Sequence, residues 1–426
     1  MSWKIFCEEN SSWQPSEIIE DNVNLYAVGD GSGAYNTDGL VSEFEQNLSG
    51  LGTELGTAAY NMSELCAIPI LKPEIPANNP APLISSNSSS TVSIPDVVNI
   101  ENASKNCNLL RNMSTKQATV IGVSGFLGSY IAKTLLAKGF KVHGSCRTAA
   151  NPSELSWLNE LPNARENLHL FEGDLKNPNS FEKAIVGSEV VFVAAFPERP
   201  SSQELVDMVL NSSQTIASLC LKHDVKCLVI TSSTGSANPP GHDESTPKNE
   251  LVHFSDPQVQ LAAGKFSPAA KTLMEKSMLK FSEENPLRIC IFAPSGICGP
   301  PLAPDGATKS FISYMLKIIR DGFKAPNGSM SFIDVRDLVN LQIAAYEQPS
   351  ASGRYWGVKE SWHWKDILPL FKKINEDFKV ELNYSGEPVV PTQYDLTRQN
   401  SLGVHVRGIP EIFDGIFEYI RENNIL

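Results

Sequence analysis

From residue 116 onward the chain alternates short apolar runs with longer stretches whose apolar residues recur every three or four positions. The runs at 118–122 (ATVIG), 140–145 (FKVHGS), 168–172 (LHLFE), 190–195 (VVFVAA), 226–231 (KCLVIT) and 287–292 (LRICIF) read as strands. They are short and rich in β-branched and aromatic residues. Helical periodicity is expected near 127–138, 153–160, 179–186, 202–223 and 269–284. In the fourth of these, Val206, Val209, Leu210, Ile216 and Leu219 mark one buried face. Strands that are apolar throughout belong between two helical layers, and the β–α alternation predicts a doubly wound parallel sheet of the α/β class.

Residues 1–115 have a different texture. They hold 14 Asn and 16 Ser, with tracts such as SSNSSSTVS at 85–93. Such a stretch buries too little apolar surface to offset chain entropy, so a largely disordered arm is expected. A patch at helical spacing (Leu40, Val41, Phe44, Leu48) leaves room for a transient helix or a docking segment for a protein partner. Charge divides the chain at the same place. The first 115 residues carry 4 basic and 14 acidic groups, a net of −10 out of −13 for all 426 residues. A segment beginning at Met113 would span 314 residues, a natural length for one complete fold of this kind.

Several functional classes drop out. No apolar run reaches the ~18–20 residues of a membrane span. The start, MSWKIFCEEN, lacks a basic stretch followed by an apolar one, so no secretory leader is expected. Nucleic acid is a poor partner for an acidic chain without a basic stripe. Eight cysteines are scattered with no C-x-x-C pair, and the histidines have no metal-ligand spacing. These features fit a reduced, cytoplasmic, metal-free protein.

The sharpest motif is Gly122-Val-Ser124-Gly125-Phe126-Leu127-Gly128, directly after the first strand and opening a helix. Glycines there let the backbone approach a pyrophosphate, and the helix N-terminus offers N–H groups and a positive dipole. This context makes the sheet Rossmann-type. An NAD enzyme places Asp or Glu at the end of the second strand. Here the chain reads His143-Gly-Ser-Cys-Arg147, with no acid. A guanidinium at that position suits a 2′-phosphate, which favours NADP(H) over NAD(H).

These residues, with several others in order, resemble the extended short-chain dehydrogenase/reductases (NAD-dependent epimerase/dehydratase family), in the branch of dihydroflavonol 4-reductase and cinnamoyl-CoA reductase. The resemblance covers about 117–426. Gly122/Gly125/Gly128 fit the family's T-G-x-x-G-x-x-G, with Ile121 in place of Thr. Gly173-Asp174-Leu175 matches the segment near the adenine ring. Phe192-Val-Ala194-Ala195 matches the stretch that lines the cofactor, with Val193 where a His is common. Thr231-Ser232-Ser233, Ala293-Pro294, Gly299-Pro300, Phe332-Ile-Asp334-Val-Arg336-Asp337 and Gly353-Arg-Tyr355 match further landmarks. The resemblance implies a cofactor part at about 116–300. It also implies a small C-terminal substrate-binding region, mainly 300–330 and 355–426. There Phe311, Tyr314, Met315, Trp356 and Tyr394 could line a pocket or belong to the core.

The resemblance also implies a catalytic set. Family members reduce a carbonyl by hydride transfer, with a Tyr four residues before a Lys as proton donor. The Lys binds the nicotinamide ribose and lowers the Tyr pKa, and a Ser holds the substrate oxygen. Positions i and i+4 share a helix face, so both groups point into one cleft. Lys271-Thr-Leu-Met-Glu275-Lys276 supplies the Lys, and Ser233, with Ser232 beside it, supplies the Ser. Four residues before Lys271 stands Ser267, and no Tyr occurs between 240 and 310. A Ser hydroxyl is a weaker acid than a phenol and falls a ring short of it, so Ser267 would act only through water. Ser267-Pro268 reads instead as helix N-cap followed by first helical residue. Trp362-His363-Trp364 invites a lid, but Ser361 before a helical pattern to Ile374 predicts a capped surface helix.

Three functions follow as expectations. The first is an NADPH-dependent reductase of an aldehyde or ketone, acting on a small carbonyl or alcohol substrate. The second is a nucleotide-binding regulator that has lost catalysis, as in nitrogen-metabolite-repressor-like relatives. The third is a sugar-nucleotide epimerase or dehydratase, which would need the same Tyr.

Overall fold

The computed structural model describes residues 116–147, 155–197, 200–304, 306 and 311–425. The expected acidic arm over 1–115 lies outside the described residues, as does the start of the helix expected from 153.

The six expected strands are present, within two residues of their expected ends: β1 (Gln117–Ile121), β2 (Lys141–Cys146), β3 (Leu168–Glu172), β4 (Val190–Val193), β5 (Cys227–Thr231) and β6 (Arg288–Pro294). A seventh, β9 (Gly353–Gly357), joins the far edge. The sheet order is β9-β6-β5-β4-β1-β2-β3 and every pairing is parallel. The order reverses between β1 and β4, which opens a crevice at their C-terminal ends, the place where such sheets bind ligands.

Helix α1 (Phe126–Ala137) packs on one face of the sheet. Helices α2 (Gln203–Lys222) and α4 (Phe266–Glu284) pack on the other, with the short α3 (Pro257–Ala262) between them in sequence. The apolar stripe of α2 is buried at Val206, Val209, Ile216 and Leu219, while Leu210 is only half-buried. The described part of the stretch expected at 153–160 is a 3-10 helix over Ser156–Glu160, and that at 179–186 is a 3-10 turn (Pro178–Phe181) followed by one α-helical turn (Glu182–Ile185).

Beyond β6 come β7 (Gly296–Cys298), α5 (Phe311–Asp321), β8 (Ser329–Asp334), α6 (Val335–Glu347), β9, β10 (Glu360–His363) and α7 (Ile409–Glu422). A small sheet β10-β8-β7 and helices α5 and α7 enclose a second core. Phe311 and Met315 are buried in that core, and Trp356 is fully buried. They are therefore core residues. Tyr394 stacks edge-on against Trp356 and places its hydroxyl 3.1 Å from Ser331 Oγ.

The expected surface helix at 361–374 is corrected. Ser361 and Trp362 lie in β10, which pairs antiparallel with β8. His363 rather than Ser361 caps the next turn, accepting from Lys365 N at 3.0 Å. Trp364 is buried against Phe323, so apolar packing, not solvent, sets this segment. Among the described residues no helix is long and apolar enough to cross a membrane.

Candidate active site

The glycine turn is shaped by contacts that forbid side chains. Gly122 has φ +90°, a region that disfavours a Cβ. A Cβ there would stand 2.9 Å from Ala195 at the end of β4. At Gly128 a Cβ would lie 2.0 Å from the Gly122 carbonyl oxygen. The turn is held from β2, where Ser145 O accepts from Gly122 N at 2.8 Å and from Val123 N at 3.2 Å. Gly125 precedes α1 and no side chain caps the helix. The first N–H groups of α1 therefore remain for an anion. Ser124 and Phe126 are half-buried beside the turn and Leu127 is buried.

Arg147 is exposed one residue past β2 and pairs with no described carboxylate. The next strand end is tied in by Gly173 N, which donates to Cys146 O at 3.1 Å. Asp174 follows, its carboxylate accepting from Lys176 N at 3.0 Å. Leu175, Ala195, Phe196, Val209, Ile230 and Met274 help line a small, mostly apolar cleft between the end of β4 and α2. Ala194 N and Ala195 N donate to Ile121 O, which joins β4 to the glycine turn.

Helix α4 carries the next residues. Lys271 is 8% exposed, and its ammonium lies 4.5 Å from the centre of the Phe196 ring. Ser267 is also buried, on the same face one turn earlier, and its hydroxyl makes no hydrogen bond with a described residue. The expected cap at Ser267 is corrected. The helix starts at Phe266 with Lys265 before it, so Ser267 and Pro268 are its second and third residues. The cause is the tight turn at Gly264 (φ +71°), where Lys265 N returns to Gln260 O at 2.8 Å. Pro268 is tolerated because first-turn N–H groups have no helical acceptor.

Ser233 caps the 3-10 turn Thr234–Ser236, accepting from Gly235 N at 3.2 Å. Its own O–H is left to donate outward. A Cβ on Gly235 would lie 3.6 Å from Ser233 Oγ and 3.7 Å from Pro268, so the Ser turn rests on the start of α4. Ser232 is buried with no partner for its hydroxyl. Pro294 ends β6 in register with Gly357 of β9. The structure thus links Gly122 to Ala195, Phe196 to Lys271, and Pro268 to the Ser233 turn around one crevice. Residue reading did not assign roles to Phe196, Ser236, Glu275 or Arg354. Glu275 and Arg354 were visible only as letters within longer matches. Among the described residues no cluster of three or more metal-ligating side chains occurs.

A parallel sheet with an open glycine turn at its switch point, and a buried lysine facing the same crevice, defines a dinucleotide-binding α/β protein. The sequence model of the NAD dependent epimerase/dehydratase family matches residues 118–356, and the chain belongs to that family. It is 29% identical to tetraketide alpha-pyrone reductase 2 of Arabidopsis thaliana over 320 residues, covering 72% of this chain and 98% of that one. It is 28% identical to cinnamoyl-CoA reductase CAD2 of Medicago truncatula over 294 residues, covering 67% and 89%. These relatives place it in the extended short-chain dehydrogenase/reductase branch. The fold matches that of yeast methylglyoxal/isovaleraldehyde reductase Gre2 complexed with NADPH, with a TM-score of 0.62, 18% identity, and coverage of 73% of this chain and 100% of that one.

Proposed function

We propose that the protein is an NADPH-binding reductase of an aldehyde or ketone, working slowly because Ser267 occupies the proton-donor position. The observation that carries this reading is the glycine turn. Its close approaches leave backbone N–H groups, and no side chains, where a pyrophosphate would lie. The Gly122–Gly128 turn would hold the pyrophosphate, with Ser124, Phe126 and Leu127 in its wall. Arg147 would pair with a 2′-phosphate, and the NADPH complex of Gre2 supports that choice. Asp174, Leu175, Ala194 and Ala195 would border the adenine end, and Pro294 the nicotinamide end. When bound, NADPH supplies the hydride.

The chain's own residues then have distinct tasks. Lys271 would bind the ribose hydroxyls. Ser233 would hold the substrate oxygen by donating a hydrogen bond from its O–H while Gly235 N fixes its Oγ. Ser267 would deliver a proton only through a bridging water, because its hydroxyl stops one bond beyond Cβ. The isolated Ser267 hydroxyl also favours a second reading, a nucleotide-binding regulator without turnover.

Fluorescence titration with NADPH and NADH, followed by a carbonyl panel monitored by NADPH oxidation, separates the two. The reductase reading expects tighter NADPH binding and measurable oxidation. Ser267→Tyr should raise the rate at least about tenfold, since a positioned general acid contributes about 10²–10⁴. NADPH binding with no turnover in either form would establish the regulator instead.

A further inference from the structure

We infer that Glu275 is a positioning residue that locks the Ser233 turn to the helix bearing Lys271, an inference that rests on the reductase reading above. Glu275 lies one turn beyond Lys271 on α4 and is fully buried. Its Oε1 accepts from Ser236 Oγ at 2.6 Å. Ser236 closes the turn that Ser233 caps. Its N donates to the Ser233 carbonyl oxygen at 3.1 Å, and its Oγ lies 2.7 Å from the same oxygen, so Glu275 and that carbonyl share the one hydroxyl proton. The carboxylate therefore acts on Ser233 through one intervening side chain.

The other oxygen faces Arg354 of β9, whose Nε is 2.8 Å away and whose side chain is 1% exposed. The Nε–H does not point along that line, so the contact is an ion pair more than an aligned hydrogen bond. The guanidinium reaches further. It donates from Nη1 to the carbonyls of Glu250 and His253 at 2.7 and 2.9 Å, and from Nη2 to Ser236 Oγ at 3.3 Å. It also stacks on Phe254 at 3.9 Å. One buried pair thus joins the edge strand, the 250–254 segment, the Ser turn and α4.

Holding these elements together does not require charge. Apolar residues of similar size pack at least as well as a buried ion pair, which pays a large desolvation cost. Apolar contacts lack the directionality that fixes the register of a hydroxyl-bearing turn. A misplacement of about 1 Å between reacting groups can cost about 10² in rate. Glu275 therefore sets where Ser233 stands relative to Lys271.

The test uses the full chain with saturating NADPH and the best carbonyl substrate from the panel. Glu275→Gln keeps an acceptor for Ser236 but removes the charge facing Arg354, and Ser236→Ala is a milder second variant should the first fail to fold. Each is measured in the Ser233 chain and in the Ser233→Ala background. The expected result is a 10- to 100-fold fall in kcat with NADPH affinity within threefold. In the Ser233→Ala background the further loss should be under threefold. An equal loss in both backgrounds, or a change in melting temperature with kcat intact, overturns the inference. A wild-type chain that oxidises no NADPH, with or without Ser267→Tyr, removes the reductase reading and this role together.

Discussion

Gly128 has no room for a methyl group, because a Cβ would fall 2.0 Å from a backbone oxygen that cannot move aside. Gly128→Ala should push the start of α1 off the turn. The expected loss is at least about tenfold in NADPH affinity and about 1–3 kcal/mol in stability, as for other overpacked sites, measured by titration and urea melts. Glu250 poses the opposite problem, a carboxylate with too few partners. It is fully buried, neither oxygen receives an aligned hydrogen bond, and Arg398 Nε stands 3.9 Å away. Burial pushes its carboxyl up to about 7 from the usual 4.5. The fold accommodates the protonated form, so Glu250 destabilises it progressively as pH rises from about 4.5 to 7 and uniformly above that. Glu250→Gln should be more stable than the wild type at pH 8, on the order of 3 kcal/mol at ~1.4 kcal/mol per pKa unit. The gain should vanish near pH 4. A gain that does not depend on pH would refute this account.

At the scale of elements, Arg288 shows how a strand finishes a helix. From the start of β6 its Nη1 donates to the carbonyls of Ala345 and Ala351 at 2.7 and 3.0 Å, and its Nη2 to Tyr346 O at 2.7 Å. These carbonyls belong to the last turn of α6 and the loop after it, where a cation is favoured. Arg288→Met should cost about 2–3 kcal/mol, because charge-assisted bonds are lost and carbonyls stay buried. NADPH affinity should be unchanged, since β6 begins at the end of the sheet away from the crevice. The inner strands β1, β4, β5 and β6 were legible because both their faces are largely apolar, a pattern that a covered parallel sheet needs. β9 was not legible as a strand. It is five residues long and has Arg354 at its second position, and a buried arginine makes sense only once Glu275, distant in sequence, faces it. The cap at Ser267 failed for a related reason. A Ser-Pro pair signals a helix start, but the turn at Gly264 brings the chain into helical geometry earlier. Trp362 to Trp364 misled because helical spacing cannot distinguish exposed from packed aromatics.

For the whole molecule, nucleotide binding and folding are linked. A ligand that binds only the folded chain stabilises it by about 2.7 kcal/mol at a hundred times its Kd. NADPH should therefore raise the melting temperature more than NADH at equal concentration. Arg147→Ala should shrink that difference while leaving the melting temperature without nucleotide unaltered, because Arg147 is exposed and pairs with no described carboxylate. An undiminished preference in this variant would assign the choice of nucleotide to another group.

The edge position of β9 carries a consequence for how the protein is made. Its pairing partner β6 ends at Pro294, but Arg354 emerges from the ribosome only after α5, β8 and α6 have been synthesised. Until then the nascent chain can form its nucleotide crevice from β1, β4 and α4 while Glu275 has no counter-charge. Domains fold as units during synthesis, and here the unit closes last around the serine turn. On the proposed reductase reading, the newborn protein should acquire the ability to hold a nucleotide before it acquires the ability to use one.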